Sequence, residues 1–158
     1  KSSEAAALWA VATELPEELH EAYGSRHLIH LGSAFKQSDG SIMLGETCLV
    51  GDKIWIAERN EELIFGGTDR IVQEIIAESD GRVPIAVFNA DCAIRGRFMF
   101  NRFLKEEIVA RMQSPFSPGS DVPWLGFYSG GEFCAIGDQN RYQAFTTAIC
   151  ALYRRTDL

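Results

Sequence analysis

The chain has 158 residues, of which 46% are hydrophobic and 23% are charged. This composition is typical of a globular domain, and a domain of this length buries roughly 70% of its unfolded surface without disulfides or a structural metal. The 22 acidic and 15 basic side chains give a formal net charge of −7, which argues against non-specific binding to nucleic acid. No apolar run approaches the ~20 residues that span a bilayer, so we expect no membrane insertion.

The start of the sequence does not have the pattern of a signal peptide. An acid, Glu4, follows the first residues at once, and no apolar core of the signal-peptide kind forms. Because the sequence does not begin with methionine, we expect that it was trimmed from a longer protein.

The cysteines carry no metal or redox signature. None of them lies in a C-x-x-C pair or beside a histidine at a metal-ligand spacing. They are Cys48, Cys92, Cys134 and Cys150. We therefore expect reduced cysteines that serve as small buried hydrophobes in a cytoplasmic protein, with no bound metal or cofactor.

The first part of the chain predicts a helix followed by three strands. Residues 2–24 read as helical because they are rich in alanine and end at a glycine. Two strands are predicted at 27–35 and 41–50, joined by a hairpin at Asp39-Gly40, and a third at 53–59. The three strands would form an antiparallel meander.

The middle of the chain predicts two helices around one strand. Residues 60–81 carry the apolar stripe of a helix that Asn60 could cap, although Gly66-Gly67 favour a start after them. The continuous apolar run at 83–94 predicts a central strand. Residues 95–113 predict a second amphipathic helix.

The last part predicts a loop rich in proline and serine at 114–123, strands on either side of Gly130-Gly131, and a final strand at 144–155. The element order is thus roughly α-βββ-α-β-α-βββ. This order predicts an α+β fold with a mainly antiparallel sheet and helices packed in layers, to which the last helix and strand could add a parallel pair.

The segment 129–132, Ser-Gly-Gly-Glu, interrupts two apolar runs and allows two interpretations. Two adjacent glycines most often form a turn with positive φ, here the turn of a hairpin. Alternatively, the loop faces a ligand, and Glu132 points from it toward a polar pocket.

Polar residues beside glycines follow several of the predicted strands, and at one sheet edge they could line such a pocket. Arginines would bind a carboxylate there, and an acid would bind an amine. The residues of this predicted pocket are Arg95, Arg97, Ser129, Glu132 and Asn140.

The sequence shows no catalytic motif. His27 and His30 stand three apart in a predicted strand and would point to opposite faces, which argues against a shared metal but leaves a single haem ligand open. Ser129 lacks the glycine that a nucleophile elbow requires. Phosphate-binding and dinucleotide-binding glycine motifs are absent as well. We therefore predict that the protein is not an enzyme.

Four segments resemble the FIST C-terminal domain family. Residues 126–133 and 137–153 resemble its closing motif, with the string Gly-Phe-Tyr-Ser-Gly-Gly-Glu followed by an Asn–aromatic–Thr segment. Residues 86–97 are similar to an earlier strand that ends in Arg-Gly, and residues 44–62 are similar to a strand–glycine–strand section.

The resemblance implies that residues 1–158 form a single cytoplasmic sensory domain, normally preceded by a FIST N-terminal domain in the same chain. It implies a small-molecule ligand such as an amino acid, and no catalytic residues. The family motif places ligand-binding positions at Cys92, Arg95, Tyr128, Ser129, Glu132 and Asn140. Arg97 of the predicted pocket joins them.

Two alternatives stay open at this stage, as does homo-oligomerisation. The first is an interaction or dimerisation module without a ligand, for which Trp9, Phe116 and Trp124 could form an exposed apolar patch. The second is an enzyme whose site the sequence does not reveal, and a strongly perturbed cysteine or glutamate in a cleft would favour it.

Overall fold

The computed structural model describes residues 10–32, 41, 43–45, 48–58, 60–96, 104–116 and 121–155. Contacts within the chain divide it into two compact units. Unit 1 consists of residues 1–59 and 130–146, and unit 2 consists of residues 60–129 and 147–158.

Unit 1 is built on a three-stranded antiparallel sheet. Its middle strand is β1 (Ala10–Glu14), with β2 (His27–Leu31) on one side and β3 (Ile54–Ala57) on the other. A 3-10 turn at Glu17–Leu19 and the short helix α1 (His20–Tyr23) connect β1 to β2.

The predicted helix at 2–24 is wrong for its described part, because residues 10–14 form β1 and only residues 20–23 are α-helical. Alanine favours a helix, but tertiary packing overrides this weak preference. Ala10, Val11 and Ala12 are each at most 6% exposed between the two flanking strands, where small side chains fit.

The predicted strands at 27–35 and 53–59 are confirmed as β2 and β3, but the meander is wrong. Both strands pair with β1, which takes the middle position that the predicted meander assigned to residues 41–50. Among the described residues of that segment, Leu44 forms only an isolated bridge with Gly32. The predicted hairpin at Asp39-Gly40 lies outside the described residues.

Unit 1 also contains a hairpin of β6 (Glu132–Ile136) and β7 (Gln139–Gln143). Strand β7 was missed from the sequence, because its residues are polar and carry no apolar alternation. A small core of Leu15, Leu28 and Ile136 lies in this unit.

The helices of unit 2 begin with α2 (Glu61–Glu78). The side chain of Asn60 caps it, since its Oδ1 accepts a hydrogen bond from the amide of Leu63 at 3.1 Å. The cap at Asn60 is thereby confirmed, and the alternative start after Gly66-Gly67 is wrong. The π-helical segment α3 (Leu104–Gln113) and the short turn α4 (Ser114–Phe116) follow later in the chain.

The sheet of unit 2 consists of β4 (Ala86–Cys92), β5 (Trp124–Ser129) and β8 (Thr147–Leu152), in the order β5-β4-β8. The predicted central strand is confirmed as β4. Strand β5 runs parallel to it, and β8 runs antiparallel. The α+β class is confirmed, and the anticipated parallel pair is β4 with β5.

One face of this sheet packs against the helices. Val87, Asn89 and Asp91 alternate along β4 and are each at most 2% exposed. The core on this side consists of Phe65, Val72, Ile108, Met112 and Phe116. The alternate positions are exposed, as Phe88 and Leu125 show at 43% and 61%.

The Gly130-Gly131 pair is not the turn of a hairpin. The strands on either side of it belong to different sheets, because β5 pairs with β4 and β6 pairs with β7. The glycines therefore stand where the chain leaves unit 2 and enters unit 1.

A glycine-to-alanine exchange tests the course of α2. At Gly67 a Cβ atom would meet nothing within 4 Å. Because alanine favours a helix interior by about 0.5–1 kcal/mol over glycine, Gly67→Ala should raise the melting temperature by about 1–4 °C. Differential scanning calorimetry measures this shift, and a lower melting temperature would contradict a helix through residues 66 and 67.

Gly130 and Gly131, where the chain passes from unit 2 to unit 1, give a matched pair of variants. Gly131 has a φ of 144°, and a Cβ atom there would overlap the ring of Tyr142. Gly131→Ala should therefore lower the free energy of unfolding by about 1–3 kcal/mol. Gly130→Ala meets nothing within 4 Å and should change it by less than about 0.5 kcal/mol in urea titrations. Equal effects of the two variants would refute this geometry.

Candidate functional site

A cavity of about 250 Å³ lies in unit 2 between the sheet and α3. Two residues of β4, four of β5 and two of α3 line it. They are Asn89, Asp91, Ile108, Gln113, Trp124, Gly126, Phe127 and Tyr128. Its wall therefore combines apolar surface with a carboxylate, an amide, an indole and a phenol.

The amide of Asn89 is held in a fixed orientation. Its Nδ2 donates one hydrogen bond to Oγ1 of Thr147 at 2.9 Å and another to the carbonyl of Ala148 at 3.1 Å. With both amide hydrogens directed toward β8, Oδ1 faces Gly126 and lies 3.8 Å from a Cβ atom placed there. This oxygen is thus an oriented acceptor on the cavity wall.

The carboxylate of Asp91 is oriented by a guanidinium. Nη1 of Arg95 donates to Oδ1 of Asp91 at 3.3 Å, and both side chains are at most 6% exposed. A turn places Arg95 directly after β4, because its backbone amide donates to the carbonyl of Cys92 at 2.8 Å.

The same guanidinium joins both long helical segments of unit 2. Nη2 of Arg95 donates to Oε1 of Glu107 on α3 at 2.5 Å and to Oγ1 of Thr68 on α2 at 2.7 Å. The hydroxyl of Thr68 in turn donates to Glu107. Glu107 and Thr68 are 0% exposed. Such a buried charge is tolerated only because it is paired and hydrogen-bonded.

Trp124 contributes a donor to the cavity. Its indole ring packs against Phe116, with ring centroids 6.0 Å apart. Its Nε1 is buried and has no hydrogen-bond partner among the described residues. This nitrogen lies 3.5 Å from a Cβ atom placed at Gly126, so the missing side chain of that glycine leaves space beside it.

Four of the candidate residues from the sequence lie in unit 2. Cys92 and Ser129 are paired neighbours at the ends of β4 and β5, and Asp91 and Tyr128 are the preceding pair. Tyr128 lines the cavity, whereas the side chain of Arg95 is engaged in the buried network. Arg97 lies outside the described residues.

The two remaining candidates lie in unit 1. Glu132 is half-buried and accepts a hydrogen bond from the hydroxyl of Thr146 at 2.6 Å. Asn140 is exposed and pairs with Ala135, three residues further along β6 than Glu132. Since a strand rises about 3.3 Å per residue, the hairpin holds the two candidates roughly 10 Å apart.

Sequence reasoning missed Asn89, Asp91 and Trp124 as residues of the site, whereas Gly126 begins the string that resembles the family motif. A signal for the first two was present, because they are the polar residues of an apolar run and stand two apart, hence on one face of a strand. Trp124 was considered for an exposed patch, but it is half-buried, and Phe116 of the same proposed patch is 3% exposed. Trp9 lies outside the described residues.

Three of the residues that were considered for reactive or metal-binding roles lie in unit 1: Cys134, His27 and His30. Burial raises the pKa of the Cys134 thiol above its ordinary value, which keeps it protonated. His27 packs against Trp55 at the β2 face opposite to that of buried His30. Within the described ranges, no cluster of His, Cys, Asp and Glu could hold a metal ion, and no helix is long and apolar enough to cross a membrane.

The role of Arg95 is tested by its removal. Arg95→Ala removes the guanidinium that two buried carboxylates share, so the free energy of unfolding should fall by about 3–5 kcal/mol in urea titrations. The control is Arg70→Ala, which breaks an exposed pair with Glu74 at 3.9 Å and should cost less than about 0.5 kcal/mol. Similar small losses for both variants would show that the Arg95 guanidinium is accessible and not structural.

Comparison with known proteins gives the family. The profile of the FIST C domain matches residues 5–135, and this range contains all of the candidate residues except Asn140. Neither a curated protein nor a solved structure matches the chain. Because the matched range is far more than half of the 158 residues, the chain belongs to the FIST C domain family, whose members are sensory domains of signal transduction.

Proposed function

We propose that this chain is the ligand-binding part of an intracellular signal-transduction sensor, and that the cavity of unit 2 binds a small polar molecule such as an amino acid. The observation that carries the proposal is the set of oriented polar atoms on the cavity wall. Oδ1 of Asn89 and Nε1 of Trp124 both border the space above Gly126. A buried donor without a partner costs about 1–3 kcal/mol, which a ligand acceptor would recover.

The size of the cavity supports a metabolite. Its volume of about 250 Å³ is below the range of roughly 300–1,000 Å³ that drug-sized ligands need. A molecule the size of an amino acid would fill it.

The candidate residues take different parts in this proposal. Tyr128 and Asp91 contact the ligand, and Arg95 is a positioning residue that holds Asp91 and α3. Contributions of Cys92 and Ser129 through the adjoining strand ends stay predictions. The same is true of Arg97, Glu132 and Asn140.

The proposal includes the setting of the protein. The FIST C family is a family of sensory domains and not of enzymes, so we expect binding without turnover. We further propose that residues 1–158 form a single sensory domain of a cytoplasmic protein. In that protein, a FIST N-type domain precedes them in the same chain. Ligand binding would tie α3 to β4 and β5, since the cavity wall belongs to all three.

Thermal unfolding against a panel of amino acids, amines, carboxylates and nucleotides tests the proposed function. A ligand at 100 times its Kd stabilises the folded state by about 2.7 kcal/mol, which should raise the melting temperature by roughly 5–10 °C. A saturable shift with one chemical class supports a sensor. A flat panel contradicts it and favours the interaction module that the sequence left open.

A cavity-filling series locates the binding. A Cβ atom at Gly126 makes only ordinary contacts, the shortest at 3.5 Å, so Gly126→Ala should fold with an unchanged or slightly raised melting temperature. Gly126→Ala should weaken the ligand-induced shift, and the bulkier Gly126→Val should abolish it. Gly67→Ala adds the same methyl group outside the cavity and should keep the full shift. An undiminished shift in Gly126→Val would place the ligand elsewhere.

A further inference from the structure

The charge of the cavity wall indicates which ligand group it selects. Asp91 is an acid, whereas the described lining contains no Lys, Arg or His. The remaining polar side chains of the wall are uncharged: Asn89, Gln113, Trp124 and Tyr128. A ligand would therefore meet a carboxylate and no described cation.

Arg95 does not have the ligand-binding position that the sequence suggested. The guanidinium of Arg95 contacts Asp91, Glu107 and Thr68, and Arg95 does not line the cavity. Two carboxylates share the guanidinium of Arg95. A ligand anion beside Asp91 would be repelled by its carboxylate, whereas a ligand cation would be attracted.

The orientation of the two acceptors fits a group with several hydrogen-bond donors. Asn89 and Asp91 stand two apart on β4, so their side chains leave the strand on the same face about 6–7 Å apart along it. The Asn89 amide presents its oxygen because both of its hydrogens are bound to β8. An ammonium group carries three donors and no acceptor, which suits these two oxygen acceptors of β4.

We propose that the cavity selects a small molecule through a protonated amine, held between Oδ1 of Asn89 and the carboxylate of Asp91. This inference rests on the proposed function and narrows its ligand class. An acceptor on the ligand that pairs with Nε1 of Trp124 would add affinity, but the amine alone is sufficient, so simple aliphatic amines bind, and the corresponding carboxylates do not.

Matched compounds test the proposal with the unmodified chain. Isothermal titration and thermal unfolding are measured with three series, from propyl to hexyl: the amines, the alcohols and the carboxylates. A hydrogen-bonded ion pair is stronger than its neutral counterpart, so at least one amine should bind about 10–100-fold more tightly than its alcohol, and no carboxylate should bind. Carboxylates binding as well as or better than amines would overturn the amine inference while leaving a ligand-binding cavity. No binding of any compound would also overturn the amine inference, whereas only a flat response to the wider panel of amino acids and nucleotides would overturn the proposed function.

A charge-neutral variant gives the second test. Asp91→Asn keeps an oxygen that can accept from Arg95, and circular dichroism checks its fold. It should reduce amine affinity about 10–100-fold and leave the weak affinity for alcohols unchanged. Glu74→Gln removes an exposed carboxylate outside the cavity and should keep amine affinity. Unchanged amine affinity in folded Asp91→Asn, or an equal loss in Glu74→Gln, would contradict recognition by Asp91.

Discussion

The buried guanidinium of Arg95 is the constraint on which the architecture of unit 2 depends. It joins the end of β4 to α2 through Thr68 and to α3 through Glu107. A buried charge that loses a partner is costly, so these three elements cannot shift independently without breaking the network. The cavity wall is restrained as well, because the same guanidinium orients Asp91.

The cavity combines features that a structural core would avoid. Strand β4 is central and covered by helices on one face, yet its covered face carries Asn89 and Asp91 between apolar neighbours. Across the pair β4–β5, Gly126 stands beside Asn89 and removes the side chain that would otherwise fill the space. Polar atoms held in fixed orientations around an unfilled volume are typical of a binding site and unfavourable in a packed interior.

Much of the fold could be predicted from the sequence because local patterns agree with the tertiary structure at many positions. The continuous apolar run around Val87 gave the central strand, and the cap of α2 was readable at Asn60. Strand β1 could not be predicted from the sequence, because Ala10 and Ala12 favour a helix unless neighbouring strands supply hydrogen bonds on both sides. Pairing of β1 with β3 is likewise a long-range property that no local pattern carries.

The site was only partly predictable for a related reason. Motif resemblance pointed to the ends of β4 and β5, which do lie side by side at Cys92 and Ser129. It could not reveal that Arg95 turns into the interior, because that depends on Thr68 and Glu107 from distant parts of the chain.

The most direct measurement is the indole region of a nitrogen-15 correlation spectrum during titration with butylamine. The chain has three tryptophans, and a Trp124→Phe variant identifies the signal of Trp124. Trp55 of β3 lies in unit 1 and serves as an internal control. The account predicts a saturable shift of the Trp124 indole signal with little change at Trp55. Saturable binding of butylamine that leaves the Trp124 signal unmoved would contradict a ligand site in this cavity.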